Sequence, residues 1–217
     1  MKKASSLLLK LFGLGAVLLS WRYVSRHQFS WFWSVVIVWG FVAFAPLAAA
    51  IARKLLDREP TPEHAATVSV TLHYCLGILL GCALIVGFQF TQEYPIIALH
   101  VSHSVVRPFM LLFGVCATLT ILNLLIQGLG LPFAAKESSR LVTGWLYKHC
   151  RNPMGLFSIL FVAAAALWLQ SLHALVWAVL WFAPAWVLFV KFYEERELEV
   201  RYGKPYLEYK SRTPFFL

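Results

Sequence analysis

At 217 residues, the chain is 60% hydrophobic and only 13% charged, with a mean hydropathy of +0.70. Soluble domains carry about 25% charged residues, so these values set aside an ordinary soluble enzyme and point to a single integral membrane domain. The formal net charge of +9 is not a nucleic-acid footprint, because Lys and Arg lie between apolar runs rather than in one patch.

Apolar runs long enough to span a bilayer, about 17–25 residues, fall near 5–23, 31–51, 66–90, 109–131, 154–170 and 174–190. The first follows Met1, Lys2 and Lys3 and ends at Trp21, Arg22 and Tyr23. With no small-residue cleavage site, it reads as a membrane helix rather than a leader. Trp21, Tyr23, Trp31 and Trp33 flank the first connection as an aromatic belt does. Between the second and third runs, Thr61 is placed to cap a helix that has Pro62 at its first position. Pro46, Pro95, Pro108 and Pro184 mark expected kinks or helix ends.

In the third run His73 reads as a buried polar residue bonded to a neighbouring helix. His100 and His103 share a helical face, but two imidazoles without a third ligand are a weak metal site, and no metal is assigned. The four cysteines, Cys75, Cys82, Cys116 and Cys150, form no CxxC pair and indicate neither a disulfide framework nor zinc.

Gln127 to Phe133 closes the fourth run. There Gly128 and Gly130 allow a ligand or another backbone to approach, and Pro132 stops the helix. The fifth and sixth runs are joined by Ser171, Leu172 and His173 alone. So short a connection makes an antiparallel hairpin, which brings Arg151, Asn152 and Pro153 to about one helix diameter, 8–10 Å, from Glu194 and Glu195.

With six spans both termini share a side, and that side holds 16 of the 19 Lys and Arg. Arg22, Arg26 and Arg107 are on the other. The positive-inside rule then places both termini, and the Arg151/Glu194 corner, in the cytoplasm. A bacterial inner membrane is the default host.

Together, several motifs carry a resemblance: a Gly-x-Gly-x-Pro helix end, Tyr147 with Lys148, then Arg151, Asn152, Pro153 and Met154. A tight apolar hairpin follows, and then Glu194, Glu195, Leu198, Tyr202, Gly203, Tyr206 and Tyr209. Over about residues 127–214 the chain resembles the isoprenylcysteine carboxyl methyltransferase and phospholipid methyltransferase superfamily of membrane enzymes.

The resemblance implies an all-α polytopic helical bundle with a cytoplasmic tail helix. It divides the single domain 1–217 into scaffold helices (1–126) and a donor-binding core (127–217). It also implies S-adenosylmethionine as cofactor, with Gly128, Gly130, Tyr147, Lys148, Arg151, Asn152, Pro153, Glu194 and Glu195 around it, and Arg151 and Glu194 as the catalytic pair. The acceptor expected is lipophilic or membrane-delivered: a prenylcysteine carboxylate, a phospholipid amine or a thiol.

Two departures stand out. Where the family has Tyr-x-Gly the chain has Gly155, Leu156 and Phe157, and where it has Gly-Pro the chain has Trp145 and Leu146.

The residue chemistry suits that donor. Acids meet its ammonium, Arg151 its carboxylate, and Trp145, Tyr147 and Phe157 its adenine. Alignment and exclusion of water supply most of the rate of an in-line methyl transfer, and no residue stands out as a dedicated base. The sequence leaves other readings open. Arg151 also reads as an anchor in a structural ion bridge with Glu194 or Glu195, and Glu197 and Glu199 as a solvated helical face. Tyr202, Tyr206 and Tyr209 read equally as interfacial docking groups for the tail. The alternative functions are an NADPH-dependent membrane reductase of the sterol-reductase type, using Lys148, Arg201 and Lys204, and a non-catalytic homologue with an altered donor site.

Overall fold

The structure, a computed structural model, describes residues 2–94, 97–128 and 140–216. Among the described residues, five helices are long and apolar enough to cross a membrane. These are α1 (Lys2–Arg26), α2 (Trp31–Arg58), α3 (Pro62–Glu93), α4 (His103–Gly128) and α6 (Leu172–Tyr202). Between α4 and α6 lies α5 (Pro153–Trp168), and α7 (Lys204–Arg212) follows on the tail. The six expected spans thus become five long helices and one short one. At 1.5 Å per residue, the 16 residues of α5 rise about 24 Å, less than the roughly 30 Å hydrocarbon core.

Local chemistry sets the ends. Thr61 Oγ1 accepts the His64 amide at 3.3 Å with Pro62 at the first helical position, as its sequence predicts. Ser171 caps α6 in the same way, accepting the Ala174 amide at 3.2 Å. The hairpin turns through Gln170, whose φ is +55°; its carboxamide bonds both the amide and the carbonyl of Val101. His103 Nε2–H donates to this corner at the Trp168 carbonyl, 3.0 Å away. Pro46, Pro108 and Pro184 sit inside helices, whereas Pro95 and Gly130 lie outside the described residues.

Wide π turns join α2 to α6. A π turn spans five residues per hydrogen bond and loosens the normal ladder. At Val36–Gly40 in α2, the carbonyls of Val38 and Trp39 accept the indole N–H groups of Trp177 and Trp181, each at 2.8 Å. These tryptophans belong to, or directly precede, a second π turn at Ala178–Phe182, just ahead of Pro184. A third, Val190–Glu194, ends at the paired acids.

Helices α1, α2, α3 and α6 pack as one group, and α4 lies along α5. Helices α3 and α4 make little direct contact. Between the two groups is a cavity of about 800 Å³.

Candidate functional site

The short segment between α4 and α5 forms the rim of the site. Gly144 lies against the Gln127 carboxamide, where a Cβ would meet Oε1 at 2.7 Å, and its carbonyl accepts Asn123 Nδ2 at 3.0 Å. Trp145 then takes φ +52°, a left-handed conformation that is costly for a bulky side chain, and enters the 3₁₀ turn Trp145–Lys148. Its indole is 53% exposed and turned out to the surroundings, not over a pocket. The Tyr209 hydroxyl donates to the Tyr147 carbonyl at 2.6 Å, so the tail holds this turn in place.

Arg151 is almost fully engaged. Its Nη2 donates to Glu195 Oε1 at 2.7 Å, and its Nη1 to the carbonyls of Lys210 (2.7 Å) and Thr213 (3.2 Å). Its backbone amide bonds the Pro214 carbonyl, and the adjacent Asn152 Nδ2 reaches the Phe215 carbonyl at 3.4 Å. Lys210 Nζ completes Glu195 at 2.8 Å and touches Glu199 at 3.0 Å. Through Glu199, Arg196 and Asp57 the chain of charges extends to Arg53 on α2. The expected approach of the Arg-Asn-Pro corner to the acidic corner is therefore direct contact, with Glu195 as the partner. Pro153 is fully buried at the first position of α5.

Glu194 has the opposite surroundings. Its carboxyl lines the 800 Å³ cavity and makes no hydrogen bond or ion pair among the described residues. Around that end of the cavity are His73, Met154, Ser158, Trp186 and Phe189. The Tyr147 phenol is within electrostatic range: burial first, then the Glu194 charge, holds it well above the ordinary phenol range. Tyr147 therefore stays a neutral hydroxyl at any working pH. Consecutive residues of a helix point about 100° apart, and the π turn shifts which direction each acid takes. At Val190–Glu194 the helix leaves its normal phase, so Glu194 faces the cavity while Glu195 faces Arg151.

Several expectations need correction. Glu197 is not a solvated face residue: it is 3% exposed, and its pair with Arg201, at 2.9 Å, is buried. His73 bonds Ser69 in its own helix, not a neighbouring one, with Nδ1 2.8 Å from the Ser69 carbonyl. Lys148 is exposed on the rim. Gly128 ends α4, which brings it to the same side as the rim. Gly155 is buried against Trp186; a Cβ there would meet the indole Nε1 at 2.5 Å. The glycine of this segment, at 155, thus admits a protein side chain.

Sequence reading missed Trp186 and the cavity itself. A visible signal was the set of small residues on α3, where Gly77, Gly81 and Gly87 all reach the cavity wall.

The donor's chemistry can be matched to these groups. Arg151 Nε is buried without a hydrogen-bond partner among the described residues, as is Asn123 Oδ1. A buried donor of that kind calls for a ligand oxygen or water. An unpaired carboxylate beside an apolar cavity calls for a cation.

A family model described as phospholipid methyltransferase matches residues 76–205, more than half of the chain and reaching back into α3. No curated protein and no solved structure matches the chain.

Proposed function

The chain belongs to the phospholipid methyltransferase family, and from that premise we propose that it transfers a methyl group from S-adenosylmethionine to a lipophilic amine held in the cavity. The observation that carries this reading is Glu194, an unpaired carboxylate at the junction of the polar rim and the apolar cavity.

S-adenosylmethionine, when bound, supplies an electrophilic methyl group on a sulfonium centre. Glu194 and Tyr147 would hold the cationic part of that donor, and Arg151 Nε and the exposed Lys148 its carboxylate. Gly128, Asn152 and Pro153 shape the floor and rim. Arg151 and Glu195 act mainly by position: their pairing ties α5, α6 and the tail into one rigid wall. Transfer of this kind rests on alignment and exclusion of water, which a wall of that kind provides.

Glu194 also orders the acceptors. A carboxyl group at that position disfavours a prenylcysteine carboxylate and favours an ammonium, whose approach would stabilise the ionised form of Glu194. An amine must shed a proton to be nucleophilic, and the Glu194 carboxylate is placed to take it, as a general base does. The apolar walls suit a long hydrocarbon substituent. The acceptor would enter from the bilayer and the donor from the cytoplasmic face, the side to which the positive-inside rule assigns the Arg151/Glu194 corner; a bacterial inner membrane is the default host. For the reductase alternative, one of the three cations suited to a 2′-phosphate is engaged, Arg201 with Glu197, while Lys148 and Lys204 stay exposed.

Radiolabelled methyl incorporation by the purified protein, with amine-bearing and carboxylate-bearing lipids offered side by side, tests this. Label in the amine lipid supports the assignment. Label confined to the carboxylate lipid would overturn it.

A further inference from the structure

The cavity is long. Its lining on α3 runs from His73 to Thr91, and on α6 from Glu194 to His173. At 1.5 Å per residue these stretches rise about 27 and 31 Å, against a hydrocarbon core of roughly 30 Å. One leaflet supplies about half of that. A substrate anchored by a tail confined to its own leaflet would leave the far half empty.

Both ends are polar and unsatisfied. At one end is Glu194. At the other is His173, which lines the cavity, lies beside the Phe90 and Trp39 rings (centroids 5.3 and 5.6 Å away) and makes no hydrogen bond among the described residues. An imidazole turned into an apolar space without a partner is costly, and a ligand group is one way to satisfy it. Between the ends the wall is built of small and apolar residues such as Gly77, Gly114 and Ala165. A second groove of about 380 Å³ on the lipid-facing side of α4 shares Gly114, Thr118 and Phe161 with the cavity, giving a sideways path from the bilayer.

We propose that the occupant is a long-chain amine that reaches from Glu194 to His173 across both leaflets and carries a hydroxyl or carbonyl group at its far end, hydrogen-bonded by His173. For its amine end this rests on the methyl-transfer reading of Glu194; the length and the far-end group rest on the cavity alone.

Binding of saturated 1-aminoalkanes of increasing length, and of their ω-hydroxylated counterparts, to the full-length protein in detergent tests this without any turnover. Affinity should rise through the series to chains long enough to reach His173, where an ω-hydroxyl adds about fivefold, the value of one hydrogen bond. His173→Phe should remove that fivefold and leave the plain amines unchanged. Ala165→Trp, in the half of the cavity nearer His173, should weaken the long amines and spare the short ones.

Affinity that levels off at half length, or an ω-hydroxyl gain that survives His173→Phe, would overturn the inference. S-adenosylhomocysteine, titrated in parallel, separates the two readings. The amine pattern without nucleoside binding would remove the methyl-transfer reading and keep the occupant. Nucleoside binding without the amine pattern would remove the occupant alone.

Discussion

Glu194 and Glu195 are consecutive residues that belong to two different regions. Glu195 is part of a charged cluster in which its carboxylate oxygens meet Arg151 and Lys210, and most polar groups around it are satisfied. Glu194 looks into an apolar cavity with no hydrogen-bond or ion-pair partner among the described residues. Burying a charge is tolerable when it is paired and costly when it is not. The paired cluster therefore reads as architecture, and the unpaired acid as the group kept for chemistry. Substitutions on either side of that divide should behave differently.

The largest expected effect is on the architectural side. Arg151→Ala leaves Glu195 with Lys210 alone and strands the Lys210 and Thr213 carbonyls, so stability should fall by about 3 kcal/mol. Thermal or denaturant unfolding in detergent measures this; an unchanged midpoint would erase the contrast. Glu194→Gln should invert the pattern. Loss of a general base costs at least about 100-fold in methyl transfer, while the unfolding midpoint should change little, because the Glu194 carboxyl has no partner among the described residues to lose.

Gly155→Ala comes next, since its Cβ would press on the Trp186 indole. Overpacking of that sort costs about 1–3 kcal/mol and should displace the ring into the cavity, visible as a shift in tryptophan emission. Smallest is Tyr209→Phe, which deletes one hydrogen bond to the Tyr147 carbonyl. A loss of about 1 kcal/mol and faster proteolysis in the Gly144–Lys148 turn are expected.

Much of the site could be read from the sequence, and the limits have physical causes. The Ser171–His173 connection and the apolar runs around it define a hairpin, and a hairpin must bring Arg151 to the paired acids. Which acid faces Arg151 could not be read, because a helical projection assumes 3.6 residues per turn and the π turn at Val190–Glu194 changes the phase. Burial of Glu197 was hidden for a related reason: Arg201 follows it at the spacing of an exposed ion pair, and only packing against neighbouring elements, α3 among them, buries the pair.

The cavity was out of reach altogether. Its walls come from α3, α4, α5 and α6, and Gly81 illustrates the ambiguity. Its bare face is needed for the close approach of the Trp21 ring, which bonds Gly77, so the same small residues serve helix packing and cavity lining at once. Trp145 is a further case. Its left-handed backbone occupies the segment where the resembled family has Gly-Pro, a conformation that a tryptophan in the sequence does not announce.

The central claim is that Glu194, and not the Arg151–Glu195 pair, is the charge reserved for the reaction site. Calorimetric titration of S-adenosylhomocysteine into the detergent-purified protein tests it most directly, comparing wild type, Glu194→Gln and Glu195→Gln at temperatures where all three are folded. The account predicts binding to wild type, largely retained in Glu195→Gln and lost in Glu194→Gln. Equal binding by wild type and Glu194→Gln would contradict it.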